Sequence, residues 1–369
     1  MSYIAIAGPG VVALRALNRI VQPDSNASID LRQSAAPIAH AFLHLFNLPE
    51  VMFLLRDRQK IIPYWQSVLE YCAAGNLQAV IDEYTHLLVE SLGLLGRVTD
   101  KAAEAVSAEI QRCLTLRTST AQADVIVPGK RRVRLGDPFR LRTRFAMRFG
   151  DQDAEDSSEP TRADHVRAAF NSPFWPFVLT TTSVGQEGLD FHMYCHAVVH
   201  WNLPSNPVDL EQREGRVHRY KGHALRKNIA TQFSSSAHCH RDPWSAMFTA
   251  AQQARPAEQN DLFPYWITPN GRAKIERHLP TLPLSREVIQ YDNLRRALVL
   301  YRMVFGQNRQ EDIVGYLLNR IPAEQVSQFV DSCRVDLAPP RNSQSICSRG
   351  DVEFSKTKGG CFVGTPAKP

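Results

Sequence analysis

Apolar residues recur with helical spacing through the first third of the chain. From residue 34 to about residue 116 they form stripes with gaps of three or four positions, the period of an amphipathic helix. The stripes cover residues 39–48, 65–72, 77–88 and 101–116, with Asn76 as the expected N-cap of the third helix. A shorter helix is predicted over Val11–Ile20. We therefore expect about four helices between residues 34 and 116, within an all-α module that covers residues 1–120.

The period changes to two between residues 124 and 149. Arg140–Phe149 alternates apolar and basic residues, as a half-buried strand does. Its expected hairpin partner is Arg131–Leu135, across a turn at Gly136–Pro138. One face of the predicted strand carries Arg140, Arg142, Arg144 and Arg148. Two interpretations stay open for this face: a solvated strand, or a surface that follows the phosphates of a nucleic acid.

Apolar runs alternate with polar segments in the centre of the chain. Phe177–Thr182 is predicted to be a strand that leads into the loop Thr182–Asp190. Ala197–Trp201 is predicted to be a second strand, followed by a helix over Asn206–Tyr220. This order is typical of a parallel α/β sheet, whose ligands bind at the carboxyl ends of the strands. We expect the chemistry of the protein in that loop and that helix.

The rest of the chain is predicted to be mostly helical. Asn228–Phe233 is predicted to be one more strand, and residues 234–270 are expected to be loop-rich because they contain four prolines. Helices are predicted over Arg286–Val304, Gln310–Arg320 and Ala323–Val330. The expected domains are therefore a helical module (1–120), a partial α/β lobe (121–235), a helical extension (236–337) and a disordered tail (338–369).

The predicted helix Asn206–Tyr220 combines basic side chains with an exposed backbone patch. Asn206 is the expected N-cap and Pro207 the first helical residue. Gln212, Arg216 and Arg219 are spaced i, i+4, i+7 and so share one face. Gly215 in mid-helix costs roughly 1 kcal/mol relative to Ala, which is tolerated where a ligand approaches the backbone. Such a face suits a phosphate chain, because guanidinium groups bind phosphate oxygens in pairs; the alternative is a solvated basic helix.

The predicted loop Thr182–Asp190, which precedes this helix in the sequence, also carries residues suited to binding a nucleotide. It places the hydroxyls of Thr182 and Ser183, two glycines (Gly185 and Gly188) and the carboxylate of Asp190 after a predicted strand. Glycines allow backbone amides to approach an anion, and a carboxylate accepts a hydrogen bond from a sugar hydroxyl.

These two segments together resemble motifs V and VI of superfamily 2 helicases and translocases. Thr181–Asp190 (TTSVGQEGLD) is similar to motif V, and Gln212–Arg219 (QREGRVHR) is similar to motif VI. Arg167, Phe170-Asn171 and Trp201-Asn202 are similar to further positions of the Swi/Snf-type, chromatin-remodeller-like branch and its bacterial relatives. The resemblance implies a RecA-like helicase C-terminal lobe with a parallel sheet, preceded by the helical module and followed by the helical extension.

The resemblance also implies roles for individual residues. Arg216 and Arg219 correspond to arginine fingers, which are typically worth about 10³–10⁵ in rate. Nucleotide contacts are implied for Gln212, Arg213, Gly215, Gly188 and Asp190. Nucleic-acid contacts are implied for Thr182, Ser183 and Gly185, in addition to the basic strand. The expected cofactor is ATP with Mg²⁺, and the expected nucleic-acid partner is DNA, with duplex preferred to single strand.

The family's first lobe, which holds most of the ATP, has no counterpart in this sequence. Pro128-Gly129-Lys130 is followed by Arg131 where a P-loop needs Ser or Thr. Asp82-Glu83-Tyr84 resembles an Asp-Glu box by letters only, because it lies in a helical stripe. We therefore expect the carboxyl-terminal part of a larger or split ATPase, which needs a first lobe from elsewhere and does not hydrolyse ATP alone. A non-catalytic nucleic-acid-binding module and a plain scaffold are the alternatives.

The composition indicates the cellular compartment and the kind of partner. The 369 residues include seven scattered cysteines, without a C-x-x-C pair, and no apolar run long enough to cross a bilayer. We expect a cytoplasmic protein without a membrane or metal partner. The net charge of +6 is local, because Pro128–Arg148 holds eight basic residues and one acid. A local basic surface of this kind favours a polyanionic partner.

Overall fold

The computed structural model describes thirteen stretches of the chain: residues 2–21, 31–56, 62–96, 100–115, 119–129, 132–143, 159–180, 190–238, 240–256, 261–268, 271–281, 286–304 and 309–333. No helix within these stretches combines the length and the apolar character that a membrane crossing requires. The predicted tail 338–369 lies outside the described residues.

The amino-terminal part is helical, as its apolar period predicts. The described residues hold seven helices here: α1 (Ser2–Ala7), α2 (Pro9–Ile20), α3 (Leu31–Phe46), α4 (Pro49–Leu55), α5 (Tyr64–Ala73), α6 (Asn76–Ser91) and α7 (Asp100–Leu114). The helix α2 confirms the predicted short helix, and five helices, α3–α7, cover the stretch where about four are predicted. Asn76 is the first residue of α6, not its N-cap. The N-cap is Gly75, whose φ of 85° is a left-handed conformation that favours glycine.

A hairpin forms in this region, but not between the predicted strands: Val133–Leu135, within the predicted partner strand, lies in the same strand as Arg140–Thr143. β1 (Ser119–Pro128) pairs antiparallel with β2 (Val133–Thr143), and the ladder ends where Pro128 faces Val133. Gly136–Pro138, predicted to be the turn, lies inside β2. The register shifts there, so that Val125 faces both Gly136 and Asp137 in a β-bulge. The bulge explains how a Gly-Asp-Pro sequence fits within a strand.

The central part contains less strand than predicted. The helix α8 (Glu159–Phe170) ends directly before Asn171. Residues 177–180 are neither helix nor strand, so the first predicted strand is wrong over these four residues, and its last two residues (181–182) lie outside the described part. β3 (Ala197–Val199) confirms the second strand in a shortened form. It pairs in parallel with β4 (Glu276–His278), which is the parallel sheet of the described residues.

Two further helices replace predicted strand and loop. α9 (Pro207–Gly215) begins where the sequence predicts but ends five residues earlier than Tyr220. α10 (His223–Phe233) occupies the segment predicted as the strand Asn228–Phe233. Leu225 and Ile229, one turn apart, are both buried, so the short apolar run belongs to a longer helix. α11 (Pro243–Gln253) lies within the segment expected to be loop-rich.

The carboxyl-terminal helices are close to their predicted bounds: α12 (Glu287–Met303), α13 (Gln310–Arg320) and α14 (Val326–Cys333).

The largest apolar core joins the amino-terminal helices to the segment after α8. It includes Ile38, Ile81 and Val106, each fully shielded from solvent, and Phe174 from the central part. The Phe174 ring packs against Phe42 and Tyr84, with ring centroids 5.6 and 5.8 Å apart. The packing of Phe174 fixes the amino-terminal helices against the region that carries the candidate site. The domain boundaries stay a prediction.

Candidate functional site

Helix α9 starts as the sequence predicts. The Asn206 side chain accepts a hydrogen bond from the amide of Val208 at 2.9 Å, and Pro207 is the first helical residue. The cap satisfies one of the amides that a helix leaves unpaired at its start. Leu210 is fully buried and anchors the helix on the lobe.

Residues 216–222 form a turn rather than the rest of a long helix. Arg216 is the C-cap of α9, and Lys221 has a left-handed φ of 49°. Arg219 is therefore outside the helix, and the predicted i, i+4, i+7 face is wrong. Residues at positions i, i+4 and i+7 share one face only in a continuous helix, and α9 ends at Gly215. Gln212 is exposed on α9.

Two backbone hydrogen bonds join this turn to the residues after the predicted loop. The amide of Phe191 donates to the carbonyl of Arg216 at 2.9 Å, and the amide of His223 donates to the carbonyl of His192 at 3.1 Å. The segment that begins with Asp190 therefore runs along the turn. This pairing brings together two parts of the chain that the sequence assigns to one site.

The two predicted fingers differ in their partners. Arg219 donates from Nε to Oδ1 of Asp190 at 3.1 Å, in an ion pair that is partly exposed at both ends. Arg216 is half-buried, and its Nε is shielded from solvent without a hydrogen-bond partner. A buried guanidinium nitrogen without an acceptor is costly, because its hydration is lost and not replaced. Arg216 therefore has an unused donor, whereas Nε of Arg219 is already paired.

Gly215 borders an open cleft. It is the last residue of α9, not a mid-helix residue, and a Cβ added there meets nothing within 4 Å. With Arg219, His218 and Lys274 it lines a cleft of about 690 Å³ between α9, α10 and α12. The backbone at Gly215 is thus open to a close approach, as its residue type predicts.

Neighbouring side chains on α9 have structural partners. Arg213, predicted to contact nucleotide, donates to the carbonyl of Asn202 at 2.9 Å. Glu214 is bonded by His200 at 3.1 Å and by a forked pair of hydrogen bonds from Arg277 of β4. Burial alone would raise the pKa of Glu214, but the hydrogen bonds from His200 and Arg277 outweigh it and lower the pKa to about 2. α9 is thereby tied to the small sheet through an ionised carboxylate.

A second cleft, of about 570 Å³, gathers three more residues that the sequence singles out. Arg167, Asn171 and Asp190 line it together with residues of α6. Asn171 donates from Nδ2 to the backbone carbonyl of Asp190 at 2.7 Å. This bond helps to hold Asp190, whose carboxylate pairs with Arg219, next to the turn. Arg167, Asn171 and Asp190, which take part in the resemblance, are therefore neighbours in space.

The structure describes less of the other predicted residues. Arg140 and Arg142 lie in β2, where the register places them opposite Gln122 and Thr120. The residues Thr182, Ser183, Gly185, Gly188, Arg144 and Arg148 lie outside the described part of the chain, so their predicted roles stay predictions.

Sequence reasoning missed the residues that hold the turn in place. Lys221 and Arg226 are buried cations whose carboxylate partners, Glu90 and Glu83, come from α6. The signal in the sequence is that Glu83 and Glu90 are seven residues apart and therefore share one face of an amphipathic helix. From the sequence alone, Glu83 stands out only as part of Asp82-Glu83-Tyr84, which resembles an Asp-Glu box by letters. The distance between partners, 131 and 143 residues, hides the pairing from any local pattern.

Comparison with known protein families gives a match to part of the chain. Residues 109–221 match the family described as helicase conserved C-terminal domain. No curated protein and no solved structure shows significant similarity to the chain. The match supports a helicase C-terminal lobe in this part of the chain and implies a RecA-like α/β fold. The described residues are helix-rich with a small parallel sheet, which is consistent with that fold but sparse.

Proposed function

We propose that this chain supplies the second motor lobe of a nucleic-acid-dependent ATPase of the Swi/Snf-type branch of superfamily 2. The observation that carries the proposal is the backbone pairing of the segment Asp190–His192 with the turn that begins at Arg216. Both segments lie within the helicase C-terminal match. The pairing supports a single site that contains both motif-like segments.

Arg216 and Arg219 are the proposed catalytic residues. Guanidinium groups bind phosphate oxygens and stabilise the charge that develops during phosphoryl transfer. The unsatisfied Nε of Arg216 fits an anionic ligand. Arg219 fits the same role once a phosphate replaces its partly exposed pairing with Asp190. ATP with Mg²⁺ would supply the phosphoryl group and its charge, and a first lobe would hold most of it.

The test is ATP hydrolysis with and without the missing parts. The full chain is assayed alone, with duplex DNA, and with DNA plus a separately produced first lobe, a chain of the same genome that contains a P-loop and an Asp-Glu box. We expect hydrolysis only in the complete mixture. Arg216→Ala should lower kcat by about 10³-fold or more, since a finger contributes that much. Arg320→Ala, which removes an exposed arginine at the end of α13, is the matched control and should leave kcat unchanged.

Two results would overturn the proposal. Full hydrolysis by the chain alone would show that no first lobe is needed. Equal rates for Arg216→Ala and Arg320→Ala in an active mixture would show that Arg216 is not a finger.

The second candidate is a non-catalytic module that binds nucleic acid. The basic hairpin favours it, since Arg132 and Arg134 are exposed near the β1–β2 turn and Pro128–Arg148 is strongly basic. Anisotropy of a fluorescein-labelled duplex, measured over a range of salt concentrations, tests it. Several phosphate contacts give a steep loss of affinity with salt. Steep salt dependence without hydrolysis in any mixture would favour this module over the motor lobe.

A further inference from the structure

One face of α6 makes polar contacts with three separate elements of the lobe. Glu83, His86 and Glu90 are spaced i, i+3, i+7, so they lie on the same side of the helix. We name these three residues the α6 clamp. Nothing in the motif-like segments, and nothing in the family match, requires a helix from this part of the chain: the match begins only at residue 109.

Glu90 holds the end of the arginine-bearing turn. Its Oε1 accepts a hydrogen bond from Nζ of Lys221 at 2.6 Å, and the Lys221 side chain is almost fully buried, at 7 % exposure. The ammonium group also lies 4.5 Å from the centroid of the Phe248 ring and 5.7 Å from that of Tyr265. Aromatic faces attract a desolvated cation, so the carboxylate and the rings act together on Lys221.

Glu83 holds the helix that follows the turn. Its Oε1 accepts from Nε of Arg226 at 2.8 Å, and the Arg226 side chain has no exposure to solvent. The same guanidinium donates to the carbonyl of Lys221 at 2.7 Å and to the carbonyl of Met193 at 2.5 Å. Arg226 therefore joins α6, the end of the turn and the segment after Asp190 through one side chain.

His86 joins the same group to α11. Lys221 has only donors to offer, so its contact of 3.4 Å makes Nε2 of His86 an acceptor. The imidazole proton is then on Nδ1, which donates to Oδ2 of Asp242 at 3.0 Å. Asp242 caps α11 with its other oxygen, through the amides of Trp244 and Ser245. The clamp thus contacts the turn, α10 and the start of α11.

We infer that the α6 clamp is a positioning device for Arg216 and Arg219. Lys221 ends the turn that bears both arginines, and the left-handed backbone at Lys221 needs an anchor to stay in place. The other end of the turn is fixed by α9 and by the Phe191–Arg216 backbone bond. Anchors at both ends of a seven-residue segment restrict where its side chains point. The catalytic consequence rests on the proposed function; the anchoring does not.

The experiment compares variants of the full chain that each remove one ion pair to α6. Lys221→Met removes the clamped ammonium, and Glu90→Gln is a milder change that keeps an acceptor oxygen. Arg19→Met is the matched control, because it removes the Arg19–Asp82 pair of 2.5 Å on α6 without a contact to the turn. Amide hydrogen exchange over residues 216–222 is read by mass spectrometry. Affinity for inorganic tripolyphosphate is read by calorimetry, in each variant with and without Arg216→Ala.

We expect exchange over 216–222 to accelerate by about tenfold or more in Lys221→Met, since the largely buried ion pair that holds the turn to α6 is lost. Glu90→Gln should act in the same direction, and Arg19→Met should leave these amides as they are in the wild type. Tripolyphosphate affinity should fall in the two clamp variants but not in the control. The effect of Arg216→Ala should then be smaller in Lys221→Met than in the wild type, because residues that act together are not additive.

Equal exchange over 216–222 in Glu90→Gln, Arg19→Met and the wild type would overturn the clamp, even if Lys221→Met fails to fold. Fully additive effects of Lys221→Met and Arg216→Ala would also overturn it as a positioning device. If tripolyphosphate does not bind, or Arg216→Ala does not change its affinity, the phosphate role of the turn fails. In that case the exchange result still decides whether α6 anchors the turn.

Discussion

Arg226 provides the sharpest test of the packing, because its guanidinium is fully buried and bonded on three sides. Arg226→Met keeps most of the apolar stem and removes every donor. The carbonyls of Lys221 and Met193 then lose a partner, at about 1–3 kcal/mol each. Glu83, with 20 % exposure, loses its cation. Removing one partner of a buried pair costs about 3–5 kcal/mol in measured cases, and we expect a loss of this size.

Thermal unfolding followed by circular dichroism measures this loss. An unfolding entropy of about 2.1 cal/mol/K per residue turns 3–5 kcal/mol into a Tm decrease of about 4–6 °C, if the 369 residues unfold together. Arg302→Met is the control, because the Arg302–Glu211 pair is 62 % and 42 % exposed. An exposed pair contributes about 0–1 kcal/mol, so Tm should fall by about 1 °C or less. Similar decreases in the two variants would refute the reasoning that the buried network stabilises the fold.

Three further predictions concern single sites. Gly215→Ala should leave the free energy of unfolding unchanged or raise it by up to about 1 kcal/mol, because the added Cβ meets open space. If calorimetry shows a lower affinity for tripolyphosphate in this variant, the ligand lies against the backbone at Gly215. Glu214 and Asp82 should give opposite pH dependence in urea unfolding. The hydrogen bonds from His200 and Arg277, which outweigh burial, depress the pKa of Glu214, so its stabilisation is present above about pH 4.5 and is lost as pH falls towards 2, and Glu214→Gln removes this slope. Burial raises the pKa of Asp82 to about 6, because its effect is larger than the opposite effect of Arg19. The contribution of Asp82 to the free energy of unfolding is therefore present below about pH 4 and is lost as pH rises through 6. An unchanged dependence of this free energy on pH in Asp82→Asn would contradict the prediction. Burial raises the pKa of Cys113 to about 12, so iodoacetamide should label the exposed Cys333 in the native protein and spare Cys113, as peptide mapping would show.

Local patterns in the sequence identify several features that the structure confirms. The helical period predicts the amino-terminal helices because apolar residues three or four apart share a face in any amphipathic helix. Asn206-Pro207 predicts the start of α9, since capping is a property of neighbouring residues alone. The resemblance to a helicase C-terminal lobe depends on residue order in the same way, and the family match supports it.

Patterns that are ambiguous over short lengths gave wrong elements. Asn228–Phe233 fits a strand as well as a helix, and only the burial of Leu225 and Ile229 within α10 decides between them. Gly-Asp-Pro at 136–138 fits a turn as well as a bulge, and the pairing of β2 with β1 decides for the bulge. A local sequence does not specify which partner strand or core it will meet.

The sequence by itself determined that the amino-terminal part is helical, where α9 begins, and which arginines are candidates for phosphate chemistry. The tertiary structure decided that α9 ends at Gly215, that Arg219 pairs with Asp190, and that Lys221 is held by Glu90 of α6. The physical reason is the range of the interactions. Caps and helical periods arise between residues a few positions apart, whereas a buried ion pair forms between residues that only the folded core brings together.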